Sequence, residues 1–200
     1  MAIQTFVAGN VLTAAQMNTL QQQAVMTFTD EAARTAALTA PTEGMVAYLT
    51  APTTPAATGT VTNIPTGTLT IYNGTVWVCV TQISANSAGT SNNFTTSYAD
   101  LTISGALTSV TLQTGTTALV SYAARINGNG NFAAMSVKTG TVAANDNWSA
   151  FNQAASYITV GRTFVMTGLT AGTNTFTIQG KNNVAGGNLD HLTLTVCGVA

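Results

Sequence analysis

Residues 68–81 read TLTIYNGTVWVCVT: two runs of alternating apolar and polar side chains joined at Asn73-Gly74. A period of two puts Trp77 and Cys79 on one face of a strand and Val76, Val78 and Val80 on the other. An Asn-Gly pair between such runs predicts a β-hairpin closed by a type I′ turn, with positive φ at both central residues. The β signal continues downstream. DLTI, SVTLQT, TALVSYAARI, FAAMSVK, YITVGRTFVMTGL, TNTFTIQGK and HLTLTVCGV follow one another between Gly, Asn or Ser clusters. Short strands at spacings of about 8–12 residues predict an antiparallel sandwich or jelly roll. VAANDNWSAF (142–151) lacks clean alternation and reads as a long loop with a helical turn.

Upstream of the hairpin the pattern changes. Thr13 is placed to cap a helix over AAQMNTLQQQAVM, with Met17, Leu20, Ala24 and Val25 on one stripe. A second short helix is expected over 31–38, capped by Thr29 or Asp30 and stopped before Pro41. Both are too short to be stable alone and must pack on something. MVAYL (45–49) suits a short strand, and TAPTTPAATGT (50–60) a loop or linker, since Pro52 and Pro55 disfavour a central strand. SANSAGTSNN (84–93) is small and polar and reads as a boundary. The expected chain is therefore mainly β. Residues 1–83 form an attachment segment of short helices, linker and hairpin (68–81), 84–93 a linker, and 94–200 an antiparallel β-sandwich or jelly roll.

Composition narrows the function. Charged residues make up 6% of the chain, against about 25% in ordinary soluble domains. Thr, about one residue in five, carries much of the polar load and favours strands. With a net charge of -1, the five basic residues Arg34, Arg125, Lys138, Arg162 and Lys181 build no phosphate-binding patch, so no nucleic-acid partner is expected. A near-neutral surface does little to oppose self-association. No apolar run approaches the length of a membrane span, and MAIQTFVAGN lacks the basic and apolar regions of a signal peptide. Cys79 and Cys197 match no metal spacing and read as free, buried thiols.

Catalytic equipment is thin. His191, beside Asp190, is the one histidine, and no G-x-S-x-G elbow accompanies it. The carboxylates are scattered, and INGNGN (126–131) is a turn rather than a phosphate loop. No enzyme activity, catalytic residue, cofactor or metal site is expected. Among the aromatics, Tyr122, Phe164 and Phe176 sit in alternating strands and are expected in the core. Tyr98, Phe132 and Tyr157 are weighed as surface contacts. Trp148 and Phe151, in a loop, are the candidate recognition residues, because aromatic faces stack on the apolar faces of sugars.

Three segments, FVAGNVLTAAQMN (6–18), FTDEAARTAALTAPTEGMVAYL (28–49) and LTIYNGTVWV (69–78), resemble the N-terminal part of tailed-bacteriophage fibre, spike and minor virion structural proteins. The shared pattern is an aG-x-LTA-x-x-x-N opening, an R-x-x-x-x-x-P-x-x-G-M-x-x-Y middle and a Y-[DN]-G-x-x-W hairpin. Arg34, Pro41, Gly44, Met45, Tyr48, Tyr72, Asn73, Gly74 and Trp77 match it. FVMTGLTAGTNTFTIQGK (164–181) is similar to the penultimate strands of small C-terminal sandwiches in such proteins. The resemblance implies a virion component, assembled in the host cytoplasm: a head or tail fibre, spike or capsid decoration subunit that is a homo-oligomer, commonly a trimer. Its N-terminal part would dock on capsid, portal, tail or baseplate proteins through Ile3, Phe6, Val7, Met17 and Leu20. The alternative function is a receptor- or glycan-binding module at a fibre tip, with a host surface glycan or protein as partner.

Overall fold

The computed structural model describes residues 11–91, 94–104, 106–184 and 186–200. Helix α1 (Ala14–Gln23) opens it, followed by strand β1 (Met26–Phe28), helix α2 (Glu31–Ala37) and strand β2 (Val46–Leu49). Next come β3 (Ala56–Thr58), β4 (Val61–Asn63), β5 (Thr68–Tyr72), β6 (Trp77–Cys79) and β7 (Ile83–Ser91). The short strands β8 (Ala99–Asp100), β9 (Thr102–Ile103) and β10 (Ala106–Leu107) precede β11 (Ser109–Thr114), β12 (Thr117–Asn127) and β13 (Ala133–Lys138). A 3-10 turn (Asp146–Trp148) leads into β14 (Ala150–Asn152), β15 (Ile158–Thr167), β16 (Gly172–Asn182) and β17 (Asn188–Gly198).

Two antiparallel sheets form the expected β-sandwich. One runs β14-β13-β16-β11-β3, with β8 on β16; the other runs β15-β12-β17-β7-β4. Alternation places the core. Val110 and Leu112 of β11, Val120, Tyr122 and Ile126 of β12, Phe176 and Ile178 of β16, and Leu192, Leu194 and Val196 of β17 point inward and are buried together. Phe164 packs against the same core, half-buried, at the edge strand β15.

A smaller sheet, β1-β2-β5-β6, packs against helix α2, and α1 precedes it in the chain. Thr13 and Gln16 form a reciprocal capping box: Thr13 Oγ1 accepts the Gln16 backbone N–H at 3.2 Å, and Gln16 Oε1 accepts the Thr13 N–H at 2.9 Å. α1 ends at Gln23 rather than reaching Met26, because Met26–Phe28 instead pairs in parallel with Ala47–Leu49. Asp30 caps α2, accepting the Ala33 N–H at 2.8 Å.

Three sequence expectations are corrected. The expected linker 84–93 is a strand as far as residue 91, and 92–93 lie outside the described residues: residues 83–91 are strand β7, paired with β17 on one side and β4 on the other. Ile83, Ala85 and Ser87 point inward, and Ser87 is satisfied by a 2.8 Å hydroxyl bond to Thr108. Small polar residues thus fill a strand where the facing sheet comes close. The stretch 50–60 is likewise only part loop, since β3 within it adds to β11, and β4, just after it, adds to β7. The sandwich therefore takes edge strands from between β2 and β5, well before residue 94. Finally, the hairpin closes through a four-residue loop rather than a type I′ turn. Tyr72 pairs with Trp77, and Asn73 Oδ1 accepts the N–H groups of Thr75 and Val76 at 3.1 and 2.9 Å. Of the Asn-Gly pair, Gly74 alone has positive φ, at +87°.

Candidate functional site

The surface that gathers aromatic and charged side chains lies where β14, β13 and β16 run side by side. Ala134 pairs with Phe151 on one side and with Lys181 on the other, so the three residues form one lateral row. With strands about 4.8 Å apart, Phe151 and Lys181 stand roughly 10 Å from each other. Alternation turns Ala150 and Asn152 inward, both buried, and leaves Phe151 outward and 55% exposed. Phe132 lies beside it, the ring centroids 5.0 Å apart and the planes inclined by 32°. Asn183 fixes Phe132: its Oδ1 accepts the Phe132 N–H at 2.9 Å, and its own backbone N–H donates to the Phe132 carbonyl at 3.0 Å.

At the other end of the row Lys181 donates to Asp146, which closes the 3-10 turn against the sheet with contacts of 2.6 and 2.8 Å. The Tyr98 hydroxyl donates to the same carboxylate at 2.8 Å, and Lys181 Nζ lies 4.8 Å from the Tyr98 ring centroid. These bonds from Lys181 and Tyr98 hold the Asp146 carboxyl below its ordinary range. Burial, reinforced by Asp146, pushes the Tyr98 phenol upward, so it stays a donor. A second pair lies nearby on the same sheet. Asp100 accepts from Lys138 Nζ and Gln179 Nε2, each at 2.7 Å, and these bonds lower its pKa against the opposing effect of partial burial. The patch thus offers two phenyl faces flanked by carboxylate acceptors, ammonium donors and a phenol.

The two candidate recognition residues stand in different surroundings. Trp148 is half-buried at the open edge of the sandwich, stacked on Phe164 with centroids 5.4 Å apart and planes at 14°. Its carbonyl and that of Met135 share the buried Tyr122 hydroxyl, at 2.5 and 3.0 Å. Trp148 therefore seals the core, and the solvent-facing aromatic is Phe151. Asp146, Lys181 and Asn183 were missed by sequence reading. Asp146 stands two residues before Trp148, but nothing local marks the other two. Tyr157 is also exposed, with the Arg125 guanidinium 5.1 Å from its ring centroid. Of the docking candidates, Met17 is exposed and Leu20 half-buried on α1, while Ile3, Phe6 and Val7 lie outside the described residues.

His191 occupies a β-bulge in β17, where the registers with both neighbouring strands shift, and takes φ +52°. Its Nδ1 lies 3.0 Å from Asp190 Oδ1, which also meets Arg125 Nε at 3.2 Å. Among the described residues no hydroxyl or thiol is hydrogen-bonded to His191, and no cluster of three metal-ligating side chains occurs. Cys79 and Cys197 are free; Cys79 is buried and Cys197 partly exposed.

No protein-family model and no curated protein matches the chain. Similar solved structures include carbohydrate-binding modules. CBM35 from Cellvibrio japonicus Abf62 is 16% identical with a TM-score of 0.31, over 56% of this chain and 88% of that one. The family 6 module CBM6cm-2 from Cellvibrio mixtus lichenase 5A, in complex with cellotriose, is 13% identical with a TM-score of 0.29, over 56% and 98%. A family 35 module from an environmental isolate is 16% identical with a TM-score of 0.29, over 56% and 93%. At this level the likeness concerns the β architecture and carries nothing about ligand or role.

Proposed function

We propose that the chain is a non-catalytic glycan-binding module whose recognition surface is the Phe132–Phe151 platform with its polar flank. The observation that carries this reading is the exposure of Phe151 in register with Lys181. A 55% exposed phenylalanine is costly to keep in water. A sugar ring offers it an apolar face, while the sugar hydroxyls reach Asp146, Lys181 and Tyr98. The low overall charge suits a neutral or weakly charged glycan. The test is saturable binding of the purified chain to host-type cells or to immobilised oligosaccharides, competed by the same oligosaccharide in solution. Binding that no soluble sugar competes rejects the proposal.

A second reading concerns how such a module would be mounted. The residues that carry the phage-fibre resemblance support a virion structural subunit, because Arg34, Tyr72, Trp77 and Pro41 converge on one small unit beside the sandwich. α1, on that side of the chain, exposes Met17, and Val11 and Val25 are exposed just before and just after it. In this reading α1 and the arm before it attach a homo-oligomer to a particle. Sedimentation of the full chain tests it: a trimer supports the reading, and a monomer at all accessible concentrations counts against it.

A further inference from the structure

Arg34 is the most unusual charged residue in the molecule. It is 2% exposed, yet among the described residues no carboxylate lies within ion-pairing distance. Its Nη1 donates to Thr70 Oγ1 at 3.0 Å, and its Nε has no acceptor. Glu31, one helical turn away, is committed elsewhere: its oxygens accept from Thr53 N, Thr53 Oγ1 and Thr54 N at 2.8–2.9 Å. A guanidinium keeps its charge even where burial opposes it, and a buried charge without a counter-charge is expensive. The Trp77 ring, 4.5 Å away, offsets part of that cost.

Arg34 also lines a cleft of about 340 Å³, together with Leu38, Pro41, Tyr72, Trp77 and Gln113. The cleft is mostly apolar, has Arg34 as the one charged residue in its lining, and is of a size that suits a small molecule. We infer that it binds a small organic carboxylate with an apolar body. The carboxylate would meet the guanidinium of Arg34, and the body would lie against Tyr72, Pro41 and Leu38. The acid supplies the missing counter-charge, and a planar carboxylate matches the planar donor fork. This site is separate from the Phe132–Phe151 surface and does not depend on it.

The test uses the full chain labelled with nitrogen-15, titrated with sodium benzoate, with the neutral isostere benzamide, and with sodium chloride at equal ionic strength. The expected result is saturable shifts of the Arg34 Nε–H and Trp77 indole signals with benzoate. Benzamide should bind at least about tenfold more weakly, because it brings no counter-charge and only one acceptor oxygen to the guanidinium. Thr39, an exposed residue that also lines the cleft, supplies a second variant: Thr39→Trp adds bulk to the cleft wall, leaves Arg34 itself unchanged and keeps the test independent of any folding defect in Arg34 variants. It should weaken benzoate binding at least about tenfold. Shifts that only follow ionic strength, or unchanged benzoate affinity in Thr39→Trp, overturn the inference.

Discussion

The guanidinium of Arg34 lies over the indole of Trp77, 4.5 Å from the ring centroid, and joins helix α2 to strand β6 across more than forty residues of sequence. Thr70 completes the clasp. Its hydroxyl accepts from Arg34 Nη1 and donates to the Ala47 carbonyl, both at 3.0 Å, so β2 and β5 are tied to the same point. Tyr72 adds a tilted ring contact with Trp77 at 5.4 Å.

Removing either side of the clasp should destabilise the protein. Trp77→Ala should cost about 3–5 kcal/mol, as for other buried aromatics. Thr70→Val, which keeps the volume and removes the hydroxyl, should cost roughly 1–3 kcal/mol by leaving a buried donor without its acceptor. Urea unfolding measures both. A midpoint unchanged in Thr70→Val shows that the guanidinium finds another acceptor.

Two glycines make separate predictions. At Gly198 an added Cβ would lie 2.6 Å from both the Cys79 carbonyl oxygen and Val78 Cγ1. Gly198→Ala should therefore lower stability by about 1–3 kcal/mol through overpacking where β6 meets the sandwich. An added Cβ at Gly74 would meet only Glu43, at ordinary contact distances of 3.7 Å and more, but φ is +87°, so Gly74→Val acts mainly through backbone strain, at about 1–2 kcal/mol. Thermal unfolding of the two variants separates close approach from strain. Gly74→Asn should recover most of the loss, whereas Gly198→Ser should not.

Stability should fall in acid. Asp100, Asp146 and Glu31 all titrate below their ordinary values in the folded chain. Their contribution is present above the unfolded values, 3.8 for Asp and 4.5 for Glu, and is lost as pH falls through the lower folded values. Urea midpoints should drop between pH 6 and pH 3. The double variant Lys138→Met, Lys181→Met should flatten the dependence. A midpoint that does not move over this range contradicts the assignment of these bonds.

Burial pushes the Cys79 thiol up to about 11, while Cys197 is raised less and is more accessible. At pH 8, therefore, a thiol reagent should label Cys197 first and Cys79 only on unfolding. The raised value also favours the folded state below the ordinary value of 9.0, and that contribution disappears as pH rises toward about 11. Equal labelling rates for the two thiols would show that β6 opens in the native state.

Local signals in the sequence located much of this fold. Asp30 ahead of EAARTAA, Thr13 ahead of AAQM, and strict alternation in SVTLQT and TALVSYAARI each specify an element without tertiary help. Residues 84–91 were misread because Ala, Ser and Gly are weak strand formers. What makes them a strand is pairing with β17 and β4, which no local window contains. The Asn73 side chain likewise substitutes for the expected turn by accepting two backbone N–H groups. At the candidate site Phe151 was legible as an aromatic in an irregular stretch. Its grouping with Lys181, Phe132 and Tyr98 was not, because these residues come together only through strand pairing, with Lys181 set beside Phe151 by the register of β13, β14 and β16. The stacking of Trp148 on Phe164 was equally out of reach, because the two rings meet only in the tertiary structure.

Everything proposed for the sandwich rests on Phe151 meeting a sugar. The direct measurement is calorimetric affinity for an oligosaccharide bound by the parent chain, compared with Phe151→Ala and Trp148→Phe. The account predicts that Phe151→Ala, an exposed change that leaves the melting temperature nearly unaltered, weakens binding at least about tenfold, as for a central aromatic contact. Trp148→Phe, whose ring still covers Phe164, should bind as the parent does. Full affinity in Phe151→Ala would contradict the account.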